Sequence, residues 1–380
     1  MKSNYKKIGD CIQLVDIRNT NLKVKTLLGV SITKEYIPSV ANIIGTDMEN
    51  YKIIKRNQFA CSTMQVRRDK KMPVALLTHL DEAIISAAYP VFEVIDTTTL
   101  LPEYLMMWFR RTEFDREAVF YAVGGVRGSI EWEDFCNMQL PLPHINKQKE
   151  IVKEYNSIVN RIALNNQLIK KLEETAQAIY KEWFVDFEFP DEIKKVTLNN
   201  YVGTNPQLNL RKNELSTYVE MNDLTISSMG ITDSIKRGFI GGSKFQNDDT
   251  LLARITPCLE NGKTAFVDIL DAGEIAAGST EFIVMRAKEN ISPFWVYCLA
   301  RDENFRSYAI SSMIGSSGRQ RVHEKYLQKY ILPEIHSDVM NKFHNTVKPV
   351  FKMVYLKSVE NKKLAIIKTL LLSKLATIEN

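Results

Sequence analysis

The order of landmarks in the first half of this 380-residue chain returns about 190 residues later, and that repetition limits the fold more than any single motif. The run from Ile85 to Val94 corresponds to the run from Ile275 to Val284, and both read as strands. Each leads into an aromatic-rich helical stretch, after Leu101 and after Ile291, where Ser292 and Pro293 form an N-cap and first-turn pair. A glycine loop follows, from Gly124 to Ser129 and from Gly315 to Arg321. An apolar-proline signal closes each copy, at Pro141 with Pro143 and at Pro333, and a long helical pattern then begins. The period is too long for a solenoid repeat. It describes a duplicated α+β block, so one polypeptide imitates a pair of related modules.

A hydrophobic content of 45% in a chain of this length supports two sizeable cores, and no stretch is apolar for long enough to span a bilayer. Lys2, Lys6 and Lys7 are not followed by the apolar run of a secretion signal, so a cytoplasmic protein is expected. Five widely spaced cysteines (Cys11, Cys61, Cys136, Cys258, Cys298) suit neither a disulfide framework nor a zinc site and are expected to be buried thiols. The formal charge of +5 is compatible with nucleic-acid binding without requiring it.

Ile151, Tyr155, Ile158, Ile162, Asn165, Ile169, Leu172, Ala176, Ile179 and Trp183 alternate four- and three-residue steps, the pattern of a coiled-coil seam. Asn165 places an amide in that seam, where it weakens packing but fixes register by pairing with a partner amide, and Asn361 stands in the equivalent place. The second pattern runs through Phe343, Val347, Val350, Val354, Asn361, Leu364, Leu371 and Leu375, interrupted by Lys357 and Lys368. Pro349 is expected to kink that helix or to mark its true start. Because the seams are internal copies, the economical assembly packs the two helices antiparallel and relates the blocks by a pseudo-twofold axis. A helix of about 39 residues is ~58 Å long, more than the ~34 Å of one DNA turn, so the pair suits a ruler on DNA. A plain brace between domains, or a docking helix, fits the same periodicity.

Basic loops stand at matched places: Arg67, Arg68, Lys70 and Lys71 after a strand of the first block, Arg127 in its glycine loop, and Arg319 and Arg321 in the second loop. Glycines let backbone amides approach a phosphate, and arginines supply charge or bidentate contact to guanine. R-R-D-K-K on its own also reads as a solvated hairpin tip.

Catalytic signatures are missing. N-G-K-T at Asn261–Thr264 has the end of a phosphate loop, but Pro257 stands where its first glycine is needed. The chain contains no N-P-P-Y or D-P-P-Y string, the nearest being Asn205-Pro206-Gln207. His336 and His344 have no zinc-ligand spacing and read as ordinary surface residues, and Asp248 and Asp249 lack a nuclease pattern. The reading is a protein with no metal site, no catalytic residue and no cofactor of its own.

P-L-P-H-I-N-K-Q-K-E-I-V at the start of the central helix and W-F-V-D-F-E-F-P at its end resemble the central region of type I restriction-modification specificity subunits. D-T-L-L-A-R-I-T-P-C-L-E-N-G-K-T from Asp249, S-T-E-F from Ser279 and G-V-S-I-T-K-E-Y-I-P-S-V from Gly29 are similar to motifs of that family's target recognition domains. The resemblance implies recognition domains at 1–143 and 190–333, with spacer helices at 144–189 and 334–380. Each domain would read half of a bipartite site in double-stranded DNA. The helices would set the spacing and dock two modification (methyltransferase) subunits, with restriction-translocase subunits joining the complex. That complex would be an adenine-N6 methyltransferase and ATP-dependent endonuclease, with S-adenosylmethionine, ATP and Mg on the partners. The residues that match the family's DNA-facing loops are Arg67, Arg68, Arg127, Ser129, Arg254, Thr256, Lys263, Ser279, Thr280, Arg319 and Arg321; Lys70 and Lys71 join them as basic neighbours. Thr256, Ser279 and Thr280 equally suit the tying of loop backbone. The helix seam comprises Ile158, Ile162, Asn165, Ile169, Leu172, Ile179, Asn361, Leu364, Leu371 and Leu375. Two other classes stay open: a stand-alone or self-dimerising DNA-binding protein, and an enzyme with its site in a glycine loop.

Overall fold

The computed structural model describes residues 5–39, 47–125, 127–186, 193–316 and 318–377. Lys2, Val126, Ser317, the end of the W-F-V-D-F-E-F-P run, the boundary at 189/190 and the last three residues of the 334–380 segment lie outside the described residues. Nine α-helices are found among the described residues: α1 (Val66–Asp69), α2 (Pro102–Phe109), α3 (Thr112–Tyr121), α4 (Trp132–Asn137), α5 (Ile145–Phe184), α6 (Pro293–Arg301), α7 (Glu303–Ser311), α8 (Glu324–Leu327) and α9 (Ser337–Lys374). Contacts divide the chain into residues 1–162 with 363–380, and residues 163–362. Each unit therefore holds a stretch of both long helices.

In the first unit, apolar strands with almost no polar interruption pack as a central sheet. Ile12–Leu14, Val91–Val94, Phe59–Cys61 and Val74–Leu76 lie in that order, all antiparallel, with Phe59 opposite Phe92. The two rings stack at 5.0 Å, and Phe109 of α2 meets both edge-on. All three rings are fully buried, each contributing roughly 1.5–3 kcal/mol relative to exposure. Pro102 in the first turn of α2 supplies a preset φ, and every residue of that helix except Glu103 is buried.

The second unit repeats this plan. Val202–Thr204, Phe282–Ala287, Thr250–Ala253 and Thr264–Phe266 form an antiparallel sheet in the corresponding order. A short terminal pair opens and closes each block: Tyr5–Lys7 with Gln139–Pro141, and Lys195–Thr197 with Ile331–Pro333. A single 3-10 turn follows the opening strand both times. The accessory strands differ. The second block has a second four-stranded sheet, whereas the first has two separate strand pairs.

The two runs expected as single strands are each broken by a turn. Glu82–Ile85 and Val91–Val94 flank one turn, Ala276–Gly278 and Phe282–Ala287 the other. A serine begins both. The Ser86 hydroxyl accepts from the Ala88 amide and the Ser279 hydroxyl from the Glu281 amide, local bonds that compete with strand continuation. Ser292 is the N-cap residue of α6 as expected, but its hydroxyl makes no cap and meets His344 Nδ1 at 3.1 Å instead. His344 also stacks on Phe294 at 5.0 Å, so it is a half-buried packing residue, and burial holds its pKa below the usual imidazole value. All five cysteines are free; Cys61 and Cys298 are buried, the other three only half-buried, with Cys11 and Cys136 at the edge of the first block's core.

The buried positions of the two long helices are shifted in phase from the expected seam. Asn165, Ile169, Ala176, Tyr180 and Phe184 are the buried positions of α5 within the second unit, while Leu172, Ile179 and Trp183 are half-buried at the edge of the same core. A straight α-helix drifts by about 20° per heptad against a 3.5-residue repeat, which turns Tyr180 and Phe184 inward. Trp295 of α6 receives both, with ring centroids 6.4 and 6.2 Å away. On α9, Phe343 packs against Phe184 at 5.1 Å, and Asn361 meets Asn165, so the two stretches run in opposite directions. In the first unit Ile151 and Tyr155 of α5 share a core with Leu372 of α9 and Leu375 just beyond it. Ile158, Ile162, Leu364 and Leu371 are half-buried. Pro349 neither starts nor ends α9, which runs through it. The residue is exposed, and burial of Phe343, Val347, Phe351 and Val354 offsets the ~3 kcal/mol cost of an interior proline.

Candidate nucleic-acid interface

Each block hangs its glycine loop as a hairpin from the turn after a core strand. In the first block, Val123 and Ser129 exchange backbone hydrogen bonds of 2.8 and 2.9 Å, and the Ile130 amide then donates to the Thr63 carbonyl. In the second, Ile314 and Arg321 exchange bonds of 2.9 Å in both directions, and the Val322 amide donates to the Arg254 carbonyl. The duplicated sequence thus builds a duplicated loop anchor, within which the basic residues divide into ties and free groups.

Arg67 is a tie. From α1 its guanidinium donates to the carbonyls of Ala122 (2.5 Å) and Gly124 (3.0 Å), holding the base of the first hairpin. Gly128 has a φ of +38°, and a Cβ there would lie 2.6 Å from the Arg67 Cβ, so only glycine lets the hairpin close over this arginine. Arg68 is engaged by Asp69, at 2.6 and 3.1 Å. The R-R-D-K-K segment is therefore not a hairpin tip. It forms a single helical turn, capped by Lys70 in the left-handed region. Arg127, Lys70 and Lys71 are exposed and have no side-chain partner among the described residues.

In the second block Arg321 is the tie, chelating Glu281 with contacts of 2.7 and 3.0 Å that raise its pKa. Glu281 leads into a core strand, and the Arg254 amide donates to its carbonyl at 3.0 Å. Thr256 accepts from the Gln320 amide through its hydroxyl at 3.1 Å, and Ser279 accepts from Glu281. Both hydroxyls thus hold loop backbone. Lys263 sends its ammonium to the Met221 carbonyl at 2.9 Å, in the 3-10 turn after Leu215–Val219, rather than toward the hairpin. Arg254 is half-buried with its Nε lacking a hydrogen-bond partner, and Thr280 and Arg319 are exposed with no side-chain partner among the described residues. Ser129 joins its hairpin through its backbone.

Exposed apolar groups, none of them singled out by the motifs, stand on the hairpins and on the end of α3 that leads into the first. Phe120 is 78% exposed, Val123 57% and Ile314 63%. Phe120 belongs to the last turn of α3, on a face turned away from the buried Phe114 and Ala118. Asp249 is structural: Arg286 holds both its oxygens at 2.6 Å, and burial pushes its carboxyl up against that pull. Among the described residues, no group of three His, Cys, Asp or Glu side chains is arranged to hold a metal ion, and no helix is long and apolar enough to cross a membrane. The arrangement offers cationic and apolar contacts on two hairpins, which suits binding to a polyanion.

Residues 67–174 match the type I restriction modification DNA specificity domain. Over 156 residues the chain is 27% identical to the EcoEI specificity subunit of Escherichia coli, covering 39% of this chain and 26% of that protein. Over 151 residues it is 24% identical to the HindI specificity subunit of Haemophilus influenzae, covering 39% and 32%. The aligned region thus spans about a quarter to a third of those relatives. In fold, the chain is similar to the S subunit of a type I restriction-modification system from M. genitalium, with a TM-score of 0.61, 13% identity, and coverage of 99% of this chain and 96% of that one.

Proposed function

We propose that this chain, a member of the type I restriction-modification specificity-subunit family, is the non-catalytic subunit that chooses the DNA sequence. The observation that carries this reading is the repeated hairpin anchor, which in each block displays an unengaged arginine, Arg127 or Arg319, beside ties that hold the loop rigid. A rigid loop loses little entropy on binding, and a correctly placed bidentate contact to a base adds about 1–3 kcal/mol of discrimination. Residues 1–143 and 190–333 act as the two recognition domains, and the segments 144–189 and 334–380 as spacers.

Two modification subunits dock on the helices. Large apolar side chains left exposed there support this, among them Leu164, Met353, Leu356, Ile366 and Leu370. Each modification subunit flips its target adenine out of the stack for methyl transfer, and restriction subunits join the same platform. S-adenosylmethionine, ATP and Mg belong to those partners, in the cytoplasm.

Methylome sequencing with and without the gene tests the proposal. A bipartite adenine-methylated motif disappears on deletion, and exchange of residues 190–333 for another recognition block changes one half of it. Unchanged methylation in both experiments rejects the reading.

A further inference from the structure

The first unit contains a cavity of about 430 Å³ that none of the DNA-facing hairpin accounts for. Its walls carry Lys34, Lys70, Lys71, Arg110, Arg111, Arg116 and Lys368 against only Glu35, Glu113 and Asp115. Two of these cations are out of water. Lys34 is 5% exposed and is neutralised by Asp115 at 2.8 Å, with further support from the Phe109 carbonyl and the Phe114 ring. Arg111 is 6% exposed and is less closely neutralised: Glu113 approaches only to 3.7 Å, Glu117 adds a weaker pull, and the Nε has no hydrogen-bond partner. Its guanidinium lies 3.9 Å from the Trp108 ring centroid, which supports the plane of the cation without satisfying its donors.

Burying a guanidinium that its neighbours only partly neutralise is unfavourable, and a further anion beside it offsets that cost. The surroundings provide for one. Arg111 is the N-cap residue of the ten-residue α3 and makes no side-chain cap, and Thr112 at the positive end of that helix lines the same wall beside the first-turn carboxylates of Glu113 and Asp115. Lys71 and Lys368 line the cavity with no ion-pair partner among the described residues, and Arg110 reaches only the Tyr155 hydroxyl at 3.3 Å. The charge excess selects a multiply charged anion, and the fork of Arg111 suits the tetrahedral oxygens of phosphate.

We propose that this cavity is a phosphate-binding site, with Arg111 as its buried anchor and Lys71 and Lys368 as its outer contacts, taking either a free oligophosphate or a backbone phosphate of nucleic acid. The site does not depend on the specificity-subunit reading, since it stands on the charge and burial of its own walls.

Calorimetric titration of the full chain with inorganic pyrophosphate at low salt tests it. Saturable binding is expected, weakened at least about tenfold in a Lys71→Met/Lys368→Met variant, at one exposed and one half-buried position, whose folding is checked by its melting temperature, and retained in Lys195→Met/Lys212→Met, which removes two exposed positive charges from the other unit. Arg111→Met weakens binding further, and circular dichroism establishes that the variant is folded. Titrating duplex DNA into the pyrophosphate complex separates the sources: displacement identifies backbone phosphate, simultaneous binding a free oligophosphate. No saturable heat with pyrophosphate, or equal affinity in the double variant, overturns the proposal.

Discussion

Asn165 of α5 donates to the side-chain oxygen of Asn361 on α9 at 2.9 Å, and Asn361 in turn donates to Asn166 at 2.8 Å. Asn165 is 3% exposed and Asn361 half-buried, so this amide pair sits at the rim of an otherwise apolar seam. Its polar bond is satisfied only in one register, whereas Ile or Leu contacts tolerate slippage by a turn. Replacing Asn165 alone with Leu strands a partner amide and is expected to cost about 1–3 kcal/mol in urea denaturation. In Asn165→Leu/Asn361→Leu most of that loss returns, since apolar pairing removes the amide left without its partner. A double variant as unstable as the sum of the singles contradicts this account.

Arg67 and Arg127 stand in the same basic region but are expected to fail differently. Arg127→Ala leaves the thermal midpoint unchanged and reduces the salt dependence of DNA binding by about 0.9 log units per log unit, the effect of one lost phosphate contact. Arg67→Ala releases the carbonyls of Ala122 and Gly124 and lowers stability by about 1–2 kcal/mol. Equal stability loss in both variants removes the distinction between tie and free group.

Burial pushes the Asp268 carboxyl up to about 6, with Lys362 pulling in the other direction. An unfolded aspartate titrates near ~3.9, so between those values the folded protein holds a proton that the unfolded chain has released. The stabilisation is complete at the acid end and is lost as pH rises through 6. Asp268→Asn abolishes that dependence. Relative to the variant, the parent protein is expected to lose about 1 kcal/mol between about pH 5 and about pH 8, measured by chemical denaturation at each pH.

Pro349→Ala restores a backbone donor inside α9 and removes the clash of the ring with the preceding turn. Denaturant unfolding is expected to show a gain of about 1–3 kcal/mol. A loss instead means that the proline shapes α9 for the packing of Phe351 and Val347.

What the amino-acid sequence determined by itself were the features whose causes lie close along the chain. The repeat of strand, helix, glycine loop and proline appears in both blocks, the spans of α5 and α9 follow from their apolar steps, and Pro102 and Pro293 mark helix starts as their preset φ requires. The Asn165–Asn361 pair was legible too, because a seam places matching polar positions opposite one another. The tertiary structure alone decided which basic residues are engaged. Arg67 meets its acceptors 55 and 57 positions away, Arg321 meets Glu281 40 away, and Lys34 reaches Phe109 75 away. No local pattern encodes such meetings, since a guanidinium on a loop has the same sequence whether it faces water or a carbonyl. The same holds for Tyr180 and Phe184, turned into the core by helical drift and the approach of Trp295, and for Arg111, whose unfilled donor exists only because distant segments close around it.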